Sequence, residues 1–139
     1  MTAHLEDFFR VEELECGIVW CTRSPRPYLS VAMLDEVLVQ LHHRLEGIDR
    51  RERSLLLDLR ASPPSTYGES MHGALLHHHR RLVKNFRRAG FLVRSADQSE
   101  PIPRSSGPDY PEIQVFRDPD RARGAMRLDR VSPRSQLLG

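Results

Sequence analysis

The sequence has few of the residues that mark secreted or membrane-spanning proteins. Only two cysteines, Cys16 and Cys21, occur in 139 residues, which is too few for a disulfide framework and predicts two reduced thiols. No apolar run approaches the roughly 20 residues that a membrane span needs. The N-terminal segment carries Glu6 and Asp7 and lacks an apolar core, so no signal peptide is predicted. These absences favour a cytoplasmic protein.

Aromatic residues and lysine are also scarce. Aromatic residues make up 6% of the chain, which leaves little for stacking on nucleic-acid bases. Lys84 is the single lysine, so arginine supplies nearly all of the positive charge. The net charge is only +2 and no nucleic-acid-binding motif accompanies it, which argues against a nucleic-acid partner. With 39% apolar and 29% charged residues, the composition is that of one globular domain with its own core.

The first half of the chain carries strand and helix patterns in turn. Stretches 8–14 and 18–22 predict two antiparallel strands, with Trp20 as a packing residue in the second. Ser30 is placed to cap a helix whose apolar residues recur at spacings of three and four: Val31, Leu34, Leu38, Leu41, Leu45 and Ile48. The apolar run Leu55–Leu57 is typical of a strand that is buried on both faces.

A long amphipathic segment follows a diproline break. Thr66 and Glu69 have capping-box spacing, which predicts a helix from about Tyr67 to Ala89, and Gly90 is read as its stop signal. The predicted apolar stripe consists of Met71, Leu75, Leu82, Phe86 and Ala89. A short strand at 91–93 comes next. Strand, helix and strand in this order predict a βαβ unit with parallel strands.

The composition changes beyond residue 95. Stretch 95–111 is rich in Pro, Ser and Gly and predicts an exposed loop. Residues 113–116 predict a fifth strand, and Asp118 caps a short helix predicted over 119–128. The chain is therefore predicted to be one α/β domain over 1–128, with a single sheet of about five strands in the order β-β-α-β-α-β-β-α. Residues 129–139 are predicted to form a C-terminal tail.

This order of elements resembles the STAS domains, the anti-sigma-factor-antagonist-like modules, and in particular a divergent bacterial branch. The resemblance spans about 8–128 and is carried by the acid-ended strand LLLDLR (Leu55–Arg60) and the strand FLVRS (Phe91–Ser95). STAS domains usually have a helix between their last two strands and a D-S-S-G-like phosphorylation motif. This chain has a Pro-rich loop instead of the helix, and in place of the motif only Ser65, Thr66 and Ser70. The resemblance implies a regulatory or signalling module that acts through protein–protein contact.

A block without acidic residues extends from His77 to Ser95. On the predicted helix, its basic side chains lie opposite the apolar stripe: Arg80, Arg81, Lys84, Arg87 and Arg88. One interpretation is a solvated helix face. The other is a surface that binds an acidic protein partner, phosphate groups or an anionic membrane surface. An acidic protein partner is the preferred hypothesis, and it makes the protein a non-enzymatic regulatory or scaffold module. Homo-oligomer formation stays open.

The turn after the third predicted strand is a second candidate site. Ligands bind at the carboxyl ends of strands in parallel sheets, and a helix N-terminus there favours anions. The polar residues of this turn are Asp58, Arg60, Ser62, Ser65, Thr66 and Ser70. They would serve a phosphorylation switch on Ser65, Thr66 or Ser70, or a ligand site. A small-molecule or lipid pocket between sheet and helices is the alternative function. No second catalytic residue accompanies Asp58, so no enzyme is predicted.

Four histidines, His72 and His77–His79, form the last notable cluster. Consecutive helical residues point about 100° apart, so adjacent histidines cannot converge on one metal ion. No metal site and no cofactor are predicted. His77 is expected on the basic face, with His78 and His79 beside the buried stripe, where nearby arginines should oppose their protonation.

Overall fold

The computed structural model describes residues 3–63, 68–95, 100–104 and 107–128. Its strands form one five-stranded sheet in chain order: β1 (Phe9–Glu13), β2 (Ile18–Arg23), β3 (Ser54–Asp58), β4 (Arg88–Leu92) and β5 (Ile113–Phe116). Strand β1 runs antiparallel to β2, whereas β2 to β5 are mutually parallel. The α-helices are α1 (Val31–Leu45), α2 (Glu69–Val83) and α3 (Pro119–Met126). The predicted single-sheet α/β fold is confirmed.

The larger core lies between the sheet and helices α1 and α2. Ser30 caps α1 as predicted, because its side chain accepts a 3.1 Å hydrogen bond from the amide of Met33. The apolar face of α1 and the middle of α2 pack on alternate residues of the strands, including Val19, Leu55 and Phe91, all fully buried. Every residue of β3 is buried, which confirms the central strand predicted at 55–57.

Helix α3 covers part of the opposite face of the sheet. Asp118 caps it as predicted, accepting a 2.9 Å hydrogen bond from the amide of Asp120. Ala122 and Met126 pack against Trp20 and Leu56 in a second, smaller core. Trp20 is 8% exposed and so belongs to the core, as predicted. Because α3 has only 8 residues, the β1 edge of this face has no covering helix in the described part of the chain, and Arg10 and Glu12 are exposed there.

The prediction of a helix from Tyr67 to Ala89 was wrong at its C-terminal end. Helix α2 ends at Val83, and Asn85 follows with φ of 69°, a left-handed conformation that stops a helix. Strand β4 begins at Arg88 rather than at residue 91. Phe86 and Ala89 are buried, as the predicted apolar stripe requires. Phe86, however, lies in the connection between α2 and β4, and Ala89 lies in β4. The proposed cap Thr66 and the helix start at Tyr67 lie outside the described residues.

The segment between β4 and β5 differs in part from the predicted exposed loop. Its described residues contain no helix, yet Glu100, Pro101 and Pro103 are buried. Pro101 contacts α2, since its carbonyl oxygen lies 2.8 Å from the ring nitrogen Nδ1 of His79. The tail predicted over 129–139 lies outside the described residues. None of the helices in the described ranges has both the length and the apolarity that crossing a membrane requires.

Candidate functional site

A cleft of about 290 Å³ opens between the C-terminal ends of α1 and α2. Its basic lining residues are Arg50, Arg81 and Lys84, and His42, Glu46 and Tyr110 complete most of the wall. We call this cleft the basic groove. It includes two of the five basic residues singled out from the sequence, Arg81 and Lys84. Arg50 was not singled out, since it precedes β3 and only the tertiary fold brings it to the end of α2.

Arg50 is held in place by the end of α2. Its Nη1 atom lies 3.4, 3.1 and 3.0 Å from the carbonyl oxygens of Arg81, Leu82 and Lys84, which lack helical partners. Its guanidinium group also lies 5.0 Å from the ring centre of Phe86. Arg50 therefore fixes the floor of the groove and satisfies the end of the helix, as basic groups at helix C-termini commonly do.

The other basic residues near the groove are exposed. The side chains of Arg81, Lys84 and Arg87 form no ion pair with any residue in the described ranges. Arg80 lies at the outer edge, with its guanidinium group 5.1 Å from the ring centre of Tyr110. No acidic residue occurs in the chain between Glu69 and Asp97, so α2 cannot neutralise this charge itself beyond its first turn.

Arg88 does not belong to this surface, which corrects its grouping with the other four. It is the first residue of β4, and its Nη1 atom donates 3.1 Å hydrogen bonds to the carbonyl oxygens of Ala125 and Arg127. Those carbonyls belong to the end of α3, on the other face of the sheet. The prediction placed Arg88 on the same helix face as Arg81 because it extended the helix through residue 89. Since α2 ends at Val83, Arg88 does not share a helix face with Arg81.

Three polar side chains connect α1 and α2 beside the basic groove. The Nε2 atom of His78 lies 2.7 Å from a carboxylate oxygen of Asp35, and its Nδ1 atom lies 3.4 Å from Nε2 of His42. His78 is buried, as its place beside the stripe predicted, whereas His77 is exposed. No local sequence pattern predicts these contacts, because Asp35 and His42 of α1 meet α2 only when the two helices pack together.

The surroundings of His42 at the basic groove lower its pKa. Burial lowers the pKa of His42 to about 4, and the charge of Arg81, His78, Arg50 and His77 adds to this effect. Burial also lowers the pKa of His79, with the nearby Arg23 a minor contributor and Glu100 opposing it. The lowered pKa of His79 agrees with its predicted resistance to protonation, although burial rather than arginine is the main cause. His42 was not among the residues of that prediction.

The turn after β3 is built around Asp58. Its buried carboxylate accepts hydrogen bonds from Arg60 Nε at 3.0 Å, Arg60 Nη2 at 2.9 Å and Trp20 Nε1 at 3.3 Å. Burial opposes ionisation, but the hydrogen bonds from Arg60 and Trp20 outweigh it and hold the pKa of Asp58 below its ordinary value. Asp58 therefore orients the side chains of Arg60 and Trp20. Ser70 is exposed in the first turn of α2, and Ser65 and Thr66 lie outside the described residues.

A buried polar cluster lies near the carboxyl ends of β2 and β4. Arg23 is fully buried, with its guanidinium carbon 4.2 Å from the ring centre of Tyr28 and its Nη1 donating to the carbonyl of Ser24 at 2.6 Å. Its Nε and Nη2 atoms have no hydrogen-bond partner among the described residues, and neither has the carboxylate of the buried Glu100. The opposite charges of Arg23 and Glu100 have opposite effects on the pKa of His79, which Glu100 raises and Arg23 lowers.

The described residues contain no group of three or more His, Cys, Asp or Glu side chains that could hold a metal ion. Cys16 and Cys21 are free thiols, and burial raises the pKa of Cys21 to about 12, which keeps it protonated and unreactive.

Comparison of the chain with family models, curated proteins and solved structures gives no significant match. The resemblance to STAS domains therefore stays a prediction.

Proposed function

We propose that this domain is a non-enzymatic binding module that docks an acidic segment of a partner protein in the basic groove. The observation that carries the proposal is that Arg81, Lys84 and Arg87 are exposed, close in sequence, and without an ion pair to any described residue. Like charges at such spacing repel each other weakly, and an anionic partner would offset that repulsion.

The extent of the positive surface favours a polypeptide over a compact ligand. The exposed charges begin at Arg80 and Arg81 in the last turn of α2, continue at Lys84 and extend to Arg87 outside the cleft. A segment with several Asp or Glu residues would match such a row of charges, and contacts of this kind mainly speed association and set specificity. The ring of Tyr110 adds an aromatic contact at the edge of the groove.

Two further observations support a binding role rather than catalysis. His78 and Asp35 form a pair of the kind that activates nucleophiles, but no Ser, Thr or Cys among the described residues hydrogen-bonds to His78 or His42. The apolar side chains between the sheet and helices α1 and α2 form a buried core, which favours partner contact over a ligand pocket there. With the resemblance to STAS domains, this supports a regulatory or scaffold role in a bacterial cytoplasm.

The test compares two variants that change net charge equally at different places. One carries Arg81→Glu and Lys84→Glu in the basic groove. The control carries Arg117→Glu and Arg121→Glu, two exposed arginines after β5 and in α3. A labelled peptide of alternating Glu and Ser is titrated into each protein by fluorescence anisotropy, with a Gln–Ser peptide as the neutral counterpart.

The parent and the control should bind the acidic peptide with similar Kd values that rise with salt. The groove variant should bind at least about tenfold more weakly, because attraction becomes repulsion at two positions. All three proteins should unfold at similar temperatures, since exposed substitutions usually change stability by about 0.5 kcal/mol or less. Equal weakening of both variants would show that net charge drives binding, and tighter binding of an RNA oligonucleotide would contradict the choice of an acidic protein.

A further inference from the structure

A second cleft, of about 320 Å³, opens on the α3 face of the sheet, away from the basic groove. Its floor is Trp20, and its polar wall consists of Arg10, Glu12, Thr22, Asp58, Arg60 and Arg123. We call it the Trp20 cleft. Thr22 and Asp58 are register partners near the carboxyl ends of the parallel strands β2 and β3. In open sheets with parallel strands, this end is where ligands usually bind.

Two guanidinium groups line this cleft, and each makes a contact that orients it. Arg60 is fixed by its two hydrogen bonds to the buried carboxylate of Asp58, yet its side chain remains 40% exposed. Arg123 extends from α3 and lies 5.2 Å from the ring centre of Trp20. Groups that are already ordered lose little conformational entropy when a ligand binds, so their hydrogen bonds contribute more to affinity.

The charges of the cleft do not cancel. Its two carboxylates are already paired, Asp58 with Arg60 at 2.9 Å and Glu12 with Arg10 at 3.0 Å. The guanidinium group of Arg123 has no ion pair with any described residue. One positive charge therefore remains uncompensated in the cleft, and Arg123 carries it over the ring of Trp20.

We propose that the Trp20 cleft binds the phosphate group of a small organic phosphate. Guanidinium groups match phosphate oxygens in geometry and charge, and a tetrahedral phosphate can accept hydrogen bonds from two directions at once, here from Arg123 and Arg60. The Thr22 hydroxyl supplies a further donor. The volume of about 320 Å³ lies at the small end of ligand pockets, so the organic part is compact. This site is independent of the basic groove.

Trp20 makes binding measurable, because it is the only tryptophan in the chain. Its fluorescence is recorded while the protein is titrated with inorganic phosphate, glycerol 3-phosphate and ribose 5-phosphate, with glycerol and ribose as uncharged counterparts. Isothermal titration calorimetry supplies Kd values that do not depend on the fluorophore. The variants are Arg123→Gln and Arg123→Lys, with Arg121→Gln as a matched control on the exposed surface of the same helix.

The parent and Arg121→Gln should give the same saturable response to the organic phosphates and none to glycerol or ribose. Arg123→Gln should weaken binding about tenfold or more, since a hydrogen-bonded charge pair is lost, and Arg123→Lys should restore part of it. The groove variant, Arg81→Glu with Lys84→Glu, should bind the phosphates as the parent does. The proposal is overturned if neither organic phosphate binds, if Arg123→Gln binds as tightly as the parent, or if inorganic phosphate binds as tightly as both organic phosphates.

Discussion

The guanidinium group of Arg50 lies 3.0 Å from the carbonyl oxygen of Lys84, with the carbonyls of Arg81 and Leu82 close by. This contact separates two kinds of positive charge in the basic groove. Arg50 satisfies the end of α2 and is part of the fold, whereas the side chains of Arg81 and Lys84 are exposed at the groove. The difference leads to a stability prediction that does not depend on the proposed function.

Arg50→Ala should destabilise the domain by about 1–3 kcal/mol, because it removes the donor to the helix end and the contact with the Phe86 ring. The matched control is Arg51→Ala, whose side chain is 71% exposed and makes two weak surface contacts, a 3.8 Å ion pair with Asp109 and a 3.5 Å hydrogen bond to the Asn85 side chain. That control should change stability by about 0.5 kcal/mol or less. Urea unfolding of the three proteins measures the difference, and equal stability of both variants would contradict the capping role.

The pKa of His42 predicts how stability depends on pH. An unfolded histidine has a pKa of about 6.5, whereas burial and neighbouring positive charge lower that of folded His42 to about 4. Between these values the unfolded chain binds more protons than the folded one, so stability falls as pH decreases from about 6.5 to about 4. His79 adds a loss in the same direction, because its pKa is also lowered by burial.

The check is urea unfolding of the parent and of His42→Gln at several pH values between 7 and 4. The variant should lose less stability than the parent over this interval, since it lacks one of the groups that take up protons on unfolding. NMR titration of His42 in Arg81→Gln provides the matched electrostatic test, and removing that charge should raise the pKa of His42. A stability profile identical to that of the parent would show that His42 titrates normally.

Local sequence patterns were sufficient to predict most of the fold. Ser30 and Asp118 cap helices as their positions indicated, because a cap depends only on residues within one turn. The buried strand β3 could also be predicted, since a short continuous apolar run between polar stretches is typical of a strand that is buried on both faces. These features depend on contacts that are short in sequence or on burial alone.

The errors and omissions came from contacts that are distant in sequence. The end of α2 was misplaced because Phe86 and Ala89 continue the helical stripe, although they are buried by packing of the connection and of β4. The Trp20 cleft unites β1, β2, β3 and α3, so no single segment carries its pattern. Asp58 and Arg60 could be assigned to one candidate site because they are two residues apart in the same turn. Arg123 and Trp20, in contrast, come together only in the folded chain.

Gly90 explains part of the same error and provides the last prediction. The sequence pattern predicts a helix stop at Gly90, but Gly90 lies within β4 and packs against the smaller core on the α3 face of the sheet. A β-carbon at this position would lie 2.9 Å from Cε2 of Phe116, 3.1 Å from Sδ of Met126 and 3.2 Å from Cδ1 of Leu56. Glycine is therefore needed here because the side chains of Phe116, Met126 and Leu56 pack closely against the backbone of β4, and not because of a turn.

Gly90→Ala should accordingly destabilise the domain. Overpacking of a well-packed core costs about 1–3 kcal/mol, while the loss of chain entropy in the unfolded state returns about 0.4–1 kcal/mol, so we expect a net loss of roughly 1–2 kcal/mol. Gly73→Ala is the opposite case in the same protein. Gly73 lies inside α2 with nothing within 4 Å of an added β-carbon, so alanine there should stabilise by up to about 1 kcal/mol. Thermal unfolding should therefore move in opposite directions for the two variants, and a stabilised Gly90→Ala would show that Met126 and Phe116 move aside at no cost.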